Sequence, residues 1–251
     1  MDKNNRRFGI ELEFGNEWKE IKEITSKIIK EVYGVRMYYA RNESFKSTSR
    51  TNKWHIKTDF SASTEITTPI SIRENLTKIY KVIAFLRDNG AFVTKDCGFH
   101  VHVDISDVDR YLLMAGWLAS EKAIFSCFPK TRKNNDYCEK ILNSRSAKSY
   151  IARILKEKTE MAISNNAISF EYYDERKTME FRIAEGTTDP EFVRCWVNFI
   201  LYWVDFIKTQ NPCLITCDRC NIFSFDYLIE EMKIQDETII NFMKSRKLLN
   251  K

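Results

Sequence analysis

Arg6-Arg7-Phe8-Gly9-Ile10-Glu11-Leu12-Glu13-Phe14 is the stretch from which the fold can be read. Phe8, Ile10, Leu12 and Phe14 share one parity and Glu11 and Glu13 the other, so residues 6–14 are expected to form a strand with one buried and one polar face. The pattern returns in Gly98-Phe99-His100-Val101-His102-Val103-Asp104-Ile105, where His100, His102 and Asp104 oppose four apolar residues. It returns again in Thr178-Met179-Glu180-Phe181-Arg182-Ile183, and in a short strand around Glu65 that Pro69 stops. Further strands are expected over 35–40, 54–58 and 167–172. Strands that alternate in this way favour a largely antiparallel sheet, with helices on one side and solvent or a cleft on the other. The expected class is therefore α+β rather than doubly wound α/β.

The helices lie between these strands. Trp18, Ile21, Ile24, Ile28 and Val32 mark one side of a helix ending near Gly34. Ser71-Ile72-Arg73-Glu74 reads as a capping box, opening a helix with Leu76, Ile79, Tyr80, Ile83 and Leu86 inward and closing at Asn89-Gly90. Residues 106–109 cap a helix running to about Phe125, and a weaker helical pattern covers 146–161. Thr188-Asp189-Pro190-Glu191 starts another, whose aromatic stripe of Phe192, Trp196, Phe199, Trp203 and Phe206 is read as core. A short helical tail follows from Phe225. The loop at 41–53, rich in Ser, Thr, Lys and Arg, is a candidate lid over a site or a plain solvated excursion.

Composition narrows the function. The 251 residues are 43% hydrophobic and 30% charged, which excludes disordered and collagen-like chains. The seven glycines, at 9, 15, 34, 90, 98, 116 and 186, include no pair spaced for a dinucleotide fingerprint or a P-loop. A bound nucleotide would have to be held by metal ions and arginine. The net charge of +5 allows nucleic-acid binding without indicating it. No signal peptide or membrane span is legible, and the seven cysteines read as reduced thiols, so a cytoplasmic location is expected. Cys213, Cys217 and Cys220 have the spacing of an iron–sulfur motif, but no glycine-rich strand or βα repeat follows them; a zinc site fits a little better, though Cys217-x2-Cys220 lacks a matching second pair, and ordinary loop thiols are the simpler reading.

Glu11 and Glu13 share a strand face about 7 Å apart, far enough for two adjacent cations. E-x-E alone usually marks a solvated face, and H-x-H at His100 and His102 could be either a site or a polar face. Together with Glu65, Glu180 and Arg182 they say more. If these faces form one surface, four carboxylates crowd it, and mutual repulsion raises their pKa values unless cations neutralise them. Carboxylates with one or two imidazoles suit Mg²⁺ or Mn²⁺, and paired ions could clamp a transferring phosphoryl group.

Phe8-Gly9-Ile10-Glu11-Leu12-Glu13-Phe14, the stretch from Asp59 to Pro69, Cys97-Gly98-Phe99-His100-Val101-His102-Val103, and Thr178-Met179-Glu180-Phe181-Arg182 with Glu185-Gly186-Thr187 resemble, in order, the amidoligase family of the glutamine synthetase and glutamate–cysteine ligase superfamily. The resemblance covers residues 6–207. It implies a curved, mostly antiparallel sheet with helices on its convex face and ATP with two Mg²⁺ (or Mn²⁺) ions on its concave face. The implied catalytic domain is 1–208, with 209–251 as a helical extension packed on it. Carried over by motif, Glu11, Glu13, Glu65, His100 and Glu180 would be metal ligands. His102 would approach the nucleotide phosphates and Arg182 the acyl phosphate or substrate carboxylate, making Glu180, His102 and Arg182 the catalytic set, with Asp59 a further nucleotide-side candidate. The chain departs from the family at Asn166-Ala167-Ile168-Ser169, where an Asn after the aliphatic residue is expected. The implied reaction joins a small-molecule or peptide carboxylate to an amine through an acyl phosphate, in a family found in bacteria and their phages. Two other readings use the same residues: a metal-dependent phosphodiesterase or nuclease, and a non-enzymatic module gripping nucleic acid or protein.

Overall fold

The computed structural model describes residues 5–16, 21–40, 53–59, 63–133, 135–141, 153–158, 166–210 and 222–250. The lid candidate at 41–52, the cysteine trio at 213, 217 and 220, and Trp18 lie outside them. The strands are β1 (Phe8–Phe14), β2 (Met37–Ala40), β3 (Trp54–Asp59), β4 (Ser63–Thr67), β5 (Gly98–Asp104), β6 (Ile168–Ser169) and β7 (Thr178–Glu185). The helices are α1 (Ile21–Glu31), α2 (Leu76–Asp88), α3 (Arg110–Phe125), α4 (Pro190–Lys208), α5 (Phe225–Glu231) and α6 (Glu237–Leu249), with single helical turns at Lys130–Lys133 and Tyr173–Arg176. The seven strands form one open sheet in the order β2-β3-β4-β1-β5-β7-β6. Pairing is antiparallel for β1/β4, β3/β4 and β6/β7, and parallel for β2/β3. The class is α+β, as the alternation predicts.

The chain forms two compact units, Met1–His102 with Ala184–Arg194, and Val103–Ile183 with Cys195–Lys251. In the first, β1 buries the parity its sequence indicates: Phe8, Ile10, Leu12 and Phe14 are at most 2% exposed, while the alternate residues are half-buried. Each fully buried side chain of this kind contributes about 1.5–3 kcal/mol. Ile24 and Ile28 of α1 and Ile79, Val82, Ile83 and Leu86 of α2 are buried with them. Tyr80, expected to point inward, is exposed, and Val82 fills the core instead. At about 100° per residue, Tyr80 lies about 100° round the helix from the centre of the face formed by Leu76, Ile79, Val82, Ile83 and Leu86, so its ring flanks the core instead of entering it. The capping box does not form. Ser71 Oγ donates to the Pro69 carbonyl at 2.9 Å, and a 3₁₀ turn at Arg73–Asn75 precedes α2. Ser71 is held there by its backbone, which exchanges hydrogen bonds with Phe8 at 2.7 and 2.8 Å.

In the second unit the α4 stripe from Trp196 to Phe206 is core. Trp117, Phe181 and Trp203 meet edge to face at centroid distances of 5.7–6.0 Å, and all are fully buried. Trp203 Nε1–H donates to Ser120 Oγ at 3.0 Å, and Ser120 in turn donates to the Gly116 carbonyl. Gly116 allows this close approach, because a Cβ there would meet Ile207 at 2.7 Å. Pro190 opens α4 at the first turn, where its missing N–H costs nothing, and Asp189 Oδ1 accepts from the Glu191 N–H at 2.9 Å. The C-terminal helices dock on this core: Arg246 Nε donates to the Cys127 carbonyl at 3.0 Å and lies over Phe128.

Cys97, Cys127, Cys138 and Cys195 are buried thiols outside any disulfide. Burial pushes the Cys127 thiol up to about 12 and raises that of Cys138. At pH 8 only about one Cys127 in ten thousand is thiolate, the form that reacts. Iodoacetamide at pH 8 should therefore leave Cys127 and Cys138 unmodified in the native protein and label them after denaturation, as read by peptide mass spectrometry. Labelling of native Cys127 at the rate of an unfolded peptide would contradict this packing.

Candidate active site

In the first unit, three strands set the polar face row by row. Register pairs Glu13 with Glu65 and Glu65 with Lys57, so one row reads Lys57, Glu65, Glu13 across β3, β4 and β1. The neighbouring row reads His55, Thr67, Glu11. These are not solvated faces. Glu65 is 4% exposed and His100 8%, values that ordinary surface Glu and His do not show.

Glu11 sits between the two histidines of β5. Its Oε1 is 3.0 Å from His102 Nε2, and its Oε2 is 3.7 Å from His100 Nδ1. Burial alone would raise its pKa, but the two imidazoles hold the carboxyl well below the usual range. Glu11 Oε1 and His102 Nε2 are an oxygen and a nitrogen that one cation could take together. Glu13 is fixed by the Gly98 N–H, which donates to its Oε2 at 2.7 Å. Glycine suits this position: a Cβ would stand 2.7 Å from His100 Nε2 and 3.4 Å from Glu13 Oε2, so a larger residue would have to displace the imidazole. Gly186 makes a comparable approach, where a Cβ would lie 2.4 Å from that of Cys97.

Glu65 is the strained member. Burial raises its carboxyl well above the usual range, the charges of Glu11 and Glu13 add to this, and Lys57 opposes it from 3.2 Å on Oε2. Its Oε1 is buried and, among the described residues, accepts no hydrogen bond. A buried carboxylate oxygen without a donor is costly unless a cation takes it. This donor set of carboxylates and imidazoles therefore fits a hard divalent ion.

In the second unit, Glu180 is 3% exposed and its Oε1 accepts from Arg182 Nη1 at 2.7 Å. Arg182 Nε also donates to the Tyr137 carbonyl at 3.3 Å. The backbone beneath is braced by buried Arg132, whose guanidinium donates to the carbonyls of Arg182 and Ile183 at 2.7 and 3.1 Å. Ser169 pairs directly with Glu180 in the β6/β7 register, so the serine standing where the family pattern has an amide lies opposite this carboxylate. Asp59 ends β3 in register with Ser63.

A match to the model of the family described as "putative amidoligase enzyme" runs over residues 4–204. The chain belongs to the amidoligase family. Among solved structures, this amidoligase-family chain is similar to the crystal structure of the complex between prokaryotic ubiquitin-like protein Pup and its ligase PafA. The similarity has a TM-score of 0.43 at 9% identity, and covers 98% of this chain and 65% of that one. The amidoligase-family chain thus spans slightly under two thirds of that chain's length. No curated protein matches it in sequence. No helix among the described residues is long and apolar enough to cross a membrane.

The polar-face reading finds Glu11, Glu13, Glu65, His100 and His102 together in the first unit, and Glu180 beside Arg182 in the second. It misses Lys57 and His55, which the register adds to the same rows. Their signal was present, because Trp54-His55-Ile56-Lys57-Thr58-Asp59 alternates as the other strands do. His55 is buried and meets Tyr38 edge to face at 5.7 Å. Arg132 has no such signal; a basic residue in a polar stretch reads as surface until the fold lays it against β7.

Proposed function

We propose that this amidoligase-family protein is an ATP-dependent carboxylate–amine ligase that works through an acyl phosphate. The observation that carries the reading is the Lys57, Glu65, Glu13 row beside Glu11 and its two histidines, with one buried Glu65 oxygen left for a cation. Family membership supports the reaction class, and Glu180 joins the ligand set by motif.

By the family motif, Glu11, Glu13, Glu65, His100 and Glu180 would hold two divalent ions, Mg²⁺ or Mn²⁺, and His102 stands beside Glu11. Those ions would supply charge neutralisation at the γ-phosphate and leaving oxygen of ATP. The substrate carboxylate oxygen attacks the γ-phosphorus, the bond to the β-phosphate oxygen breaks, and ADP leaves. Arg182, whose guanidinium Glu180 orients, offsets charge on the transferring phosphoryl oxygens, and His102 donates to the nucleotide phosphates. The amine then attacks the acyl carbon, the carbon–oxygen bond to phosphate breaks, and the amine gives up a proton as phosphate leaves. Asp59 is a second contact on the nucleotide side. The acid is a small molecule or peptide, and the site's location is cytoplasmic.

Incubation with ATP, Mg²⁺, a panel of carboxylic acids and hydroxylamine should yield a hydroxamate and ADP. Absence of both across a broad panel, with metal bound, would overturn the reading.

Glu65 gives a second test with a sign that distinguishes function from stability. Its folded pKa is raised, so the folded state holds the proton more tightly than the unfolded state. Ionisation of Glu65 therefore costs the metal-free fold stability as pH rises above the unfolded value of about 4.5. Glu65→Gln should raise the melting temperature of the metal-free protein at pH 7, with the gain shrinking toward pH 4.5. It should also remove most of the stabilisation that Mn²⁺ gives the wild type. A variant less stable without metal, or equally stabilised by Mn²⁺, would show that Glu65 is a structural residue.

A further inference from the structure

The first unit contains a cleft that the ligase reading does not use. It encloses about 310 Å³, and among the residues lining it are Gly34, Arg36, Trp54, Ser71, Asn75 and Lys78. Trp54 belongs to the parity of β3 opposite His55 and Lys57, so the cleft opens on the other side of the strand from the proposed ligands.

Among the described residues, its lining carries two cations and no carboxylate. Among the described residues, neither Arg36 nor Lys78 has an acidic partner. Two cations lining one cleft sum their fields there, and an anion entering it is attracted by both. A third donor stands with them. Asn75 occupies the N-cap of α2, yet its side chain makes no capping hydrogen bond, which leaves the carboxamide available. Gly34 keeps the space open. Its φ of +75° suits glycine, and a Cβ would come within 3.3 Å of Lys78 Nζ, crowding the ammonium. Guanidinium, ammonium and carboxamide are the donors that tetrahedral oxyanions take.

We propose that this cleft binds a small dianion of the phosphate class, either inorganic phosphate or the phosphate of a monoester, at a site separate from the polar sheet face. Arg36 and Lys78 supply the charge, and Asn75 supplies a neutral donor.

The probes are sodium phosphate and glycerol phosphate, titrated calorimetrically into the full chain with EDTA present, so that no divalent ion recruits phosphate to the glutamates. Sodium chloride at matched ionic strength is the reference, and succinate is the carboxylate arm. Saturable binding of one phosphate per chain is expected. Arg36→Gln with Lys78→Gln should weaken it at least about tenfold, whereas Lys78→Arg and Glu11→Gln should leave it within about twofold. Retained binding in Glu11→Gln separates this site from the ligase reading, which fails or stands on hydroxamate formation alone. Tighter binding of the monoester than of inorganic phosphate would identify the ester as the occupant, and the reverse would identify the free ion. The proposal is overturned by no saturable binding, by equal binding of chloride or succinate, by a loss smaller than tenfold in the double variant, or by loss of binding in Glu11→Gln. Both altered side chains lie at the surface or partly exposed, and unchanged circular dichroism confirms that the variants fold.

Discussion

Glu11→Gln should reduce ADP formation by at least about 100-fold, and should leave the fold intact. The glutamine keeps the shape of a side chain that stands half-buried on the polar face, opposite the neutral Thr67. What it removes is the negative charge between His102 and His100, 3.0 and 3.7 Å away. That charge is needed twice. It is one of the carboxylates that would draw a divalent ion, and it fixes the two imidazoles in the orientation from which they act. An amide can accept one hydrogen bond but offers a cation a far weaker ligand. Mn²⁺ titration should therefore show weakened binding, and circular dichroism should show unchanged secondary structure. Glu11→Asp, which restores the charge on a shorter stem, should recover part of the activity. Turnover and Mn²⁺ affinity equal to the wild type would sink the ligand assignment whatever the substrate proves to be.

Trp203→Ala should cost about 3–5 kcal/mol of stability, which for a chain of this size is a fall in melting temperature of about 10 °C. Trp203 is fully buried, meets Trp117 and Phe181 edge to face, and donates to Ser120 at 3.0 Å. Alanine would leave a cavity against two rings and orphan the Ser120 hydroxyl's acceptor side. Trp203→Phe keeps most of the volume and loses the hydrogen bond, so a loss nearer 1 kcal/mol is expected. Phe181 lies between Glu180 and Arg182 on β7, so the cavity also loosens the strand that carries them. Activity of Trp203→Ala should fall even below its melting range. A shift of less than about 3 °C would mean that the aromatic cluster is not the centre of the core it occupies.

Much of the candidate site was legible because a strand's side chains alternate with a period of two. Once Phe8, Ile10, Leu12 and Phe14 are taken as buried, Glu11 and Glu13 have no choice of side. The same reasoning reaches His100 and His102, and the alternation of Trp54-His55-Ile56-Lys57 puts His55 and Lys57 on one side of their strand as well. What alternation does not give is which strand lies beside which. β4 stands between β3 and β1, although it follows β3 in the chain and is far from β1, so the meeting of Glu65 with both Lys57 and Glu13 is a product of sheet order. The 3₁₀ turn in place of a capping box has the same origin, since the Phe8 pairing holds Ser71 where it cannot cap.

The sequence by itself determined the polar and apolar faces, the caps at Asp109 and Asp189, and the side of its strand on which each of Glu11, Glu13, His100 and His102 stands. Local periodicity and turn chemistry act over a few residues and are written in the chain directly. Only the tertiary structure decided that Glu65 is buried with an oxygen that no described residue satisfies, that Gly98 makes room for the His100 ring, and that Arg132 braces the backbone of Arg182. Those facts depend on burial and on contacts between segments distant in sequence, and it is desolvation and proximity there, rather than residue type, that set the chemistry of the row of glutamates.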